Sequence, residues 1–172
     1  NSNVIRVTIF DNQATMMQWQ IQSYDERNRL WKTSAYFRDP QTVYANADTI
    51  IERLDTYAVK KITNGIGKIT NYTYDTEGRL SNVTDPMNNM LDYVYDNNSN
   101  VLGISYTETT NGAPPAVTYN FEATYDDLNR TTSLEQIDAY DPNSILTTTF
   151  EYDSRSNLVF IVNPEGNPSR IT

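Results

Sequence analysis

The dipeptide Tyr-Asp recurs five times, as Tyr24-Asp25, Tyr74-Asp75, Tyr95-Asp96, Tyr125-Asp126 and Tyr152-Asp153, and the same grammar follows each copy. Two variable residues come next, then Asn28, Gly78, Ser99, Asn129 or Ser156, and then Arg29, Arg79, Asn100, Arg130 or Asn157. An apolar or β-branched residue ends the signature: Leu30, Leu80, Val101, Thr131 or Leu158. Successive tyrosines lie 50, 21, 30 and 27 residues apart, so the unit is short and accepts insertions. A short internal repeat constrains the fold more than any single motif, because each copy is one supersecondary unit that has to pack on its neighbours.

The grammar is that of a β-hairpin turn. An aspartate at the start accepts hydrogen bonds from backbone N–H groups two residues on, and Gly or Asn three residues later tolerates positive φ. A type I turn followed by a left-handed residue is a common hairpin loop. Ser99 and Ser156 suit the left-handed position less well, which predicts looser turns there. Before the turns the residues alternate with period 2: Tyr72 and Tyr74 against Thr73, Tyr93 and Tyr95 against Val94, Phe150 and Tyr152 against Glu151. A second turn signal, Asp85-Pro86 and Asn163-Pro164, puts each proline twelve residues after Tyr74 and Tyr152, with Asn88 and Gly166 supplying positive φ. Asn64-Gly65 reads as a two-residue hairpin turn. Turns are thus expected at residues 25–28, 64–65, 75–78, 96–99, 126–129 and 153–156. Thr49 and Glu52 offer a helix capping box, but Ile50-Ile51 and the flanking strands favour strand over helix for 49–57. The reading is an all-β chain, an antiparallel sheet of consecutive hairpins. Thirteen Tyr and five Phe against only six Gly and seven Pro fit that bias. A length of 172 residues is enough for one domain with a sizeable core.

Residues 74–102, YDTEGRLSNVTDPMNNMLDYVYDNNSNVL, closely resemble the consensus of Rhs or YD repeats, and residues 152–168, YDSRSNLVFIVNPEGNP, repeat most of it. The resemblance is clear over 70–172 and degenerate over 1–69, so 1–172 reads as a single repeat array. Bacterial Rhs polymorphic toxins, cocoon subunits of insecticidal toxin complexes and teneurin ectodomains share these repeats. The resemblance implies a segment of a coiled, hollow β-shell, secreted or at the cell surface, that encloses a toxin cargo or acts as a scaffold. The chain departs from the complete family pattern at Asn163-Pro164-Glu165-Gly166, which lacks the aspartate of the Asp-Pro-x-Gly region linked to self-cleavage, so autoproteolysis is not carried over. Asn1-Ser2-Asn3-Val4-Ile5 mirrors Asn98-Ser99-Asn100-Val101-Leu102, so both ends read as falling inside repeat units. Their strand edges are expected to pair with neighbouring repeats or with other copies.

The chemistry excluded by composition is extensive. With no Cys and no His, thiolate nucleophiles, imidazole catalysis and Cys/His zinc sites are absent. A net charge of −9 disfavours nucleic acid, and Lys60, Lys61 and Lys68 form the one basic cluster. No apolar run approaches the roughly 18 residues of a membrane span, so membrane insertion is not expected. Five aspartates at equivalent turn positions read as backbone caps, not as catalytic groups, and neither a catalytic residue, a metal nor a cofactor is assigned. Asp96-Asn97-Asn98-Ser99-Asn100 begins like a calcium loop, but Val101 stands where that loop needs Gly and Thr107 where it needs Glu. Trp19 and Trp31 are the candidates for stacking on a sugar ring, which keeps a carbohydrate-binding or adhesion surface open as the alternative function.

Overall fold

A computed structural model describes residues 4–10, 16–37, 45–110 and 113–171. The described residues contain fourteen strands and no helix. In chain order these are β1 (Val4–Phe10), β2 (Met16–Tyr24), β3 (Leu30–Phe37), β4 (Ala45–Arg53), β5 (Val59–Thr63), β6 (Ile69–Tyr74) and β7 (Leu80–Thr84). There follow β8 (Met90–Tyr95), β9 (Val101–Thr110), β10 (Ala113–Tyr125), β11 (Thr131–Ile137), β12 (Ile145–Tyr152), β13 (Leu158–Val162) and β14 (Pro168–Arg170). They fall into two compact units, Asn1–Tyr72 and Thr73–Thr172, with the boundary inside β6. In unit 1 each strand from β1 to β6 pairs antiparallel with the next, and in unit 2 the strands from β7 to β14 do the same. The all-β hairpin architecture expected from the repeat is therefore present. The segment with a helical capping box is strand as far as Arg53.

The core that the length would permit is absent among the described residues. No apolar side chain among the described residues is buried, and Ser34, at 5 % exposure, is the one residue that is. A sheet hides a face only against a second layer, and consecutive hairpins pair edge to edge without supplying one. One face of unit 2 is apolar in register: Tyr93, Ile104, Phe121, Gln136 and Leu146 form one row, and Leu91, Tyr106 and Tyr119 another. Phe121, Leu134 and Leu146 are 42, 47 and 51 % exposed on it.

Eight left-handed residues mark the tight turns among the described residues: Asn28, Gly67, Gly78, Asn88, Ser99, Asn129, Ser156 and Gly166. Five lie at the expected fourth position of a Tyr-Asp turn, and Asn88 and Gly166 lie at the expected positions of the proline turns. Asn64-Gly65 is not the two-residue turn its sequence announced. Asn64 starts a loop of the same kind as the others, closed by Gly67 N–H to the Asn64 carbonyl at 2.9 Å, and the left-handed residue is Gly67 at φ 78°. At Gly78, with φ 81° and open space around the position of a Cβ, only the backbone opposes a side chain. Gly78→Val is therefore expected to cost about 1–2 kcal/mol, read as a lower denaturation midpoint; an unchanged midpoint would show the turn relaxing out of the left-handed region.

The repeat also carries a bulge that the sequence reading missed. Tyr24 pairs with Leu30 but Ser23 with Lys32, which leaves Trp31 extra, and the same slip leaves Leu102, Thr132 and Val159 extra after the later Tyr-Asp turns. Lys60 is extra in the same way between β4 and β5. The hairpins closed by the Asn64 and Asp85 turns, and that closed by Asn163, continue in register. Two residues thus face one after four of the Tyr-Asp turns and after the loop that follows β4, and such bulges bend a strand and increase its twist. At Thr124 the hydroxyl lies 2.7 Å from both Thr132 and Ser133.

Candidate functional site

The residues the sequence singled out assemble into one structural device repeated along the Tyr-Asp ends of the hairpins. In each of the five turns the Asp N–H donates to the carbonyl of the closing Arg or Asn at 2.9–3.0 Å, and the left-handed residue donates back to the Asp carbonyl at 2.9–3.2 Å. The Asp Oδ1 accepts two further N–H bonds, for example from Leu128 at 2.9 Å and Arg130 at 3.0 Å on Asp126. Its Oδ2 accepts the closing side chain: Nε of Arg29, Arg79 or Arg130 at 2.6–2.7 Å, or Nδ2 of Asn100 or Asn157 at 2.8–2.9 Å. Aspartate is needed because it offers lone pairs in two directions. The two serine turns are not looser: Asp96 and Asp153 keep the same bonds, at 3.0 and 2.9 Å for the Asp N–H.

These bonds set the electrostatics. The Arg29 amide foremost, then its side chain, holds the Asp25 carboxyl below the ordinary range. At Asp96, Asp126 and Asp153 the leading cause is the side chain of Asn100, Arg130 and Asn157 respectively. At Asp75 and Asp85 partial desolvation pushes upward and is outweighed by the amides and side chains of Arg79 and Asn89, so both again end low. Carboxylates committed in this way are poor general acids; the Asp96 oxygens accept from the Asn98 and Asn100 amides and from Asn100 Nδ2.

Successive turns are tied together laterally. The Arg79 guanidinium lies 4.5 Å from the Tyr95 ring centroid and donates through Nη1 to the Asp96 carbonyl at 2.7 Å. Arg130 repeats this over Tyr152 at 4.6 Å, and Arg29 stands 5.2 Å from the Tyr57 ring. In return the tyrosine hydroxyls donate to backbone carbonyls just beyond the preceding turn: Tyr95 to Leu80 at 2.8 Å, Tyr125 to Val101 at 3.0 Å and Tyr152 to Thr131 at 2.9 Å. In unit 2, Tyr95, Tyr125 and Tyr152 are thus struts to the preceding hairpin, and Arg79 and Arg130 clamps on the following turn, whereas the Tyr24 hydroxyl donates to Gln22 in its own strand at 3.0 Å. Regular co-occurrence of Tyr and Arg in the signature was the available signal; their partners 15–24 residues away were not.

The other candidates do not converge. Trp31 is 39 % exposed at its bulge, and the Trp19 side chain lies outside the described residues. Lys61 is paired with Glu52 at 2.6 Å, which removes part of the basic cluster. Buried Ser34 shares the Asp48 carboxylate with Lys32, whose ammonium lies 2.7 Å from Asp48 Oδ2. That contact, with a hydrogen bond from Ser34 after it, keeps the Asp48 carboxyl low. Among the described residues no cluster of three acidic groups is placed to hold a metal ion, and no helix is long and apolar enough to cross a membrane.

No protein-family model and no curated protein matches the chain. Solved structures do. A crystal structure of TcdB2-TccC3 without its hypervariable C-terminal region is similar over 97 % of this chain at 20 % identity and a TM-score of 0.66. The Photorhabdus luminescens Tc holotoxin pore carrying a TccC3 mutation is similar over 96 % at 18 % identity with a TM-score of 0.64. A TcdB2-TccC3-Cdc42 structure is similar over 92 % at 13 % identity, with a TM-score of 0.61. The chain spans about a tenth of the length of these proteins, 10, 9 and 9 % respectively. Consecutive hairpins closed by Tyr-Asp turns and this likeness together give the chain the Rhs/YD-repeat type of fold, shared with the TcdB2-TccC3 toxin structures.

Proposed function

We propose that the chain is a passive wall segment of a large secreted or cell-surface β-shell, with no chemistry of its own. The observation that carries the reading is the lateral ladder of unit 2: neighbouring Tyr-Asp turns there are bonded to one another through Arg79, Tyr95, Tyr125 and Tyr152, so the unit of stability is the array and not the hairpin. A sheet without buried apolar side chains supports the same reading, since such a sheet needs something against its open face. The whole stretch 1–172 is read as one repeat array, degenerate over 1–69 and regular over 70–172. Its partners are neighbouring repeats or further copies along the strand edges, and the space the shell encloses is for a toxin cargo. The deciding experiment is an electron-microscopy reconstruction of the full-length protein that contains this segment. A hollow particle with these hairpins in its wall is expected; a solid globular particle overturns the reading. Assays of the purified chain on ester, phosphate and glycoside substrates are expected to show no turnover.

One observation favours a second reading, a carbohydrate-binding or adhesion surface: an indole, Trp31, stands exposed at a bulge. Binding on a glycan array that is lost in Trp31→Ala would favour it.

A further inference from the structure

Neighbouring Tyr-Asp turns sit two strands apart, about 9–10 Å at ordinary strand spacing. Within unit 2 that gap is bridged by a donor on the closing residue of one turn and an acceptor on the left-handed residue of the next. Arg79 Nη1 donates to Ser99 Oγ at 3.3 Å, and Arg130 Nη1 to Ser156 Oγ at 3.2 Å. Between them, Asn100 Nδ2 donates to Asn129 Oδ1 at 2.8 Å, with Asn98 Nδ2 on the same oxygen at 3.0 Å. A long donor meets a short acceptor and a short donor a longer one, so the combined reach stays matched to the gap.

We infer that the closing residue of each turn and the left-handed residue of the next form a length-matched pair that specifies which hairpin seats beside which. This explains why serine, a poor left-handed residue, stands at 99 and 156: each follows an arginine turn, and a longer side chain there would meet the guanidinium. It also explains Arg29. The loop after β4 supplies no left-handed residue among those described, and the Arg29 Nη1 is buried without a hydrogen-bond partner. The inference concerns selection between hairpins and goes beyond the wall-segment reading, which holds whether or not the pairs discriminate.

The test places Ser99→Asn in two backgrounds of the full chain, Arg79 and Arg79→Asn, and follows hydrogen exchange at the Asp96 and Ser99 amides. With Arg79 present, Ser99→Asn is expected to speed exchange severalfold; with Arg79→Asn it is expected to slow it, a reversal of sign. The reciprocal pair, Asn129→Ser with and without Asn100→Arg, should reverse in the same way at the Asp126 and Asn129 amides. An effect of equal sign and size in both backgrounds, at either turn, overturns the pairing rule, because the left-handed residue would then be responding only to its own backbone.

Discussion

Gly65→Ala is expected to destabilise unit 1 by about 1–3 kcal/mol, the usual cost of overpacking. A Cβ at position 65 would lie 2.5 Å from the Ala47 Cβ, 3.1 Å from its Cα and 3.3 Å from its carbonyl carbon. Ala47 cannot retreat cheaply, because β4 is hydrogen-bonded to β3 on one side, with Ala47 opposite Ala35, and to β5 on the other. Gly67, two residues on, is the internal contrast. Its φ is +78° but nothing lies within 4 Å of a Cβ there, so Gly67→Ala meets backbone strain alone. Urea denaturation of both variants separates the two roles. The double variant Gly65→Ala with Ala47→Gly should recover most of the loss, since it removes the atom that collides. Failure of that rescue would mean that glycine at 65 serves the backbone and not the close approach.

Acid is expected to open the aspartate turns together and to spare the Asn64 turn. A carboxyl held below its ordinary value of 3.8 in the folded chain contributes stability that is fully present above that value. It is lost as the pH falls through the lower folded value. Asp25, Asp75, Asp85, Asp96, Asp126 and Asp153 all shift in that direction. In the Asn64 turn an amide oxygen takes the same role, accepting N–H from Ile66 at 3.1 Å and Lys68 at 2.9 Å, and has nothing to titrate. Amide exchange, corrected for its intrinsic pH dependence, should therefore show protection lost below about pH 4 at Asn129 and Ser156 before Gly67. Asp126→Asn should remove the acid sensitivity of its own turn while lowering its protection at neutral pH, because the amide cannot pair with the Arg130 cation. Simultaneous loss at Gly67 and Asn129 would show that the sheet unfolds as a whole before any carboxylate decides the outcome.

What could be read from the chain alone followed the range of the interactions. The aspartate caps, the left-handed residues and the proline turns depend on contacts within four residues, and their positions were legible from residue type and spacing. Ser99 and Ser156 were placed correctly but misjudged as loose, because what justifies a hydroxyl there is an arginine 20 or 26 residues earlier. Asn64-Gly65 misled for a related reason: the strongest local hairpin signal was satisfied by a different loop, and the glycine answers to Ala47 on another strand. A length of 172 residues permits a core, but consecutive hairpins do not supply the second layer that would close one. The likeness to TcdB2-TccC3 is one of fold, and at 20 % identity it says nothing about individual side chains.

The β9–β10 hairpin runs past its neighbours, and its two long edges differ. On β9 the backbone of Thr109 is already engaged: its N–H goes to Asn89 Oδ1 at 2.8 Å, and its hydroxyl to the Met87 carbonyl at 2.6 Å. On β10 the consecutive Pro114 and Pro115 have no N–H to offer. An overhanging hairpin is the part of a sheet protein most exposed to templated aggregation, since free N–H and C=O groups invite a foreign strand. Here one edge is stopped by a side chain from an adjacent turn and the other by imino acids. Each device removes backbone donors that a foreign strand would otherwise find on the arm.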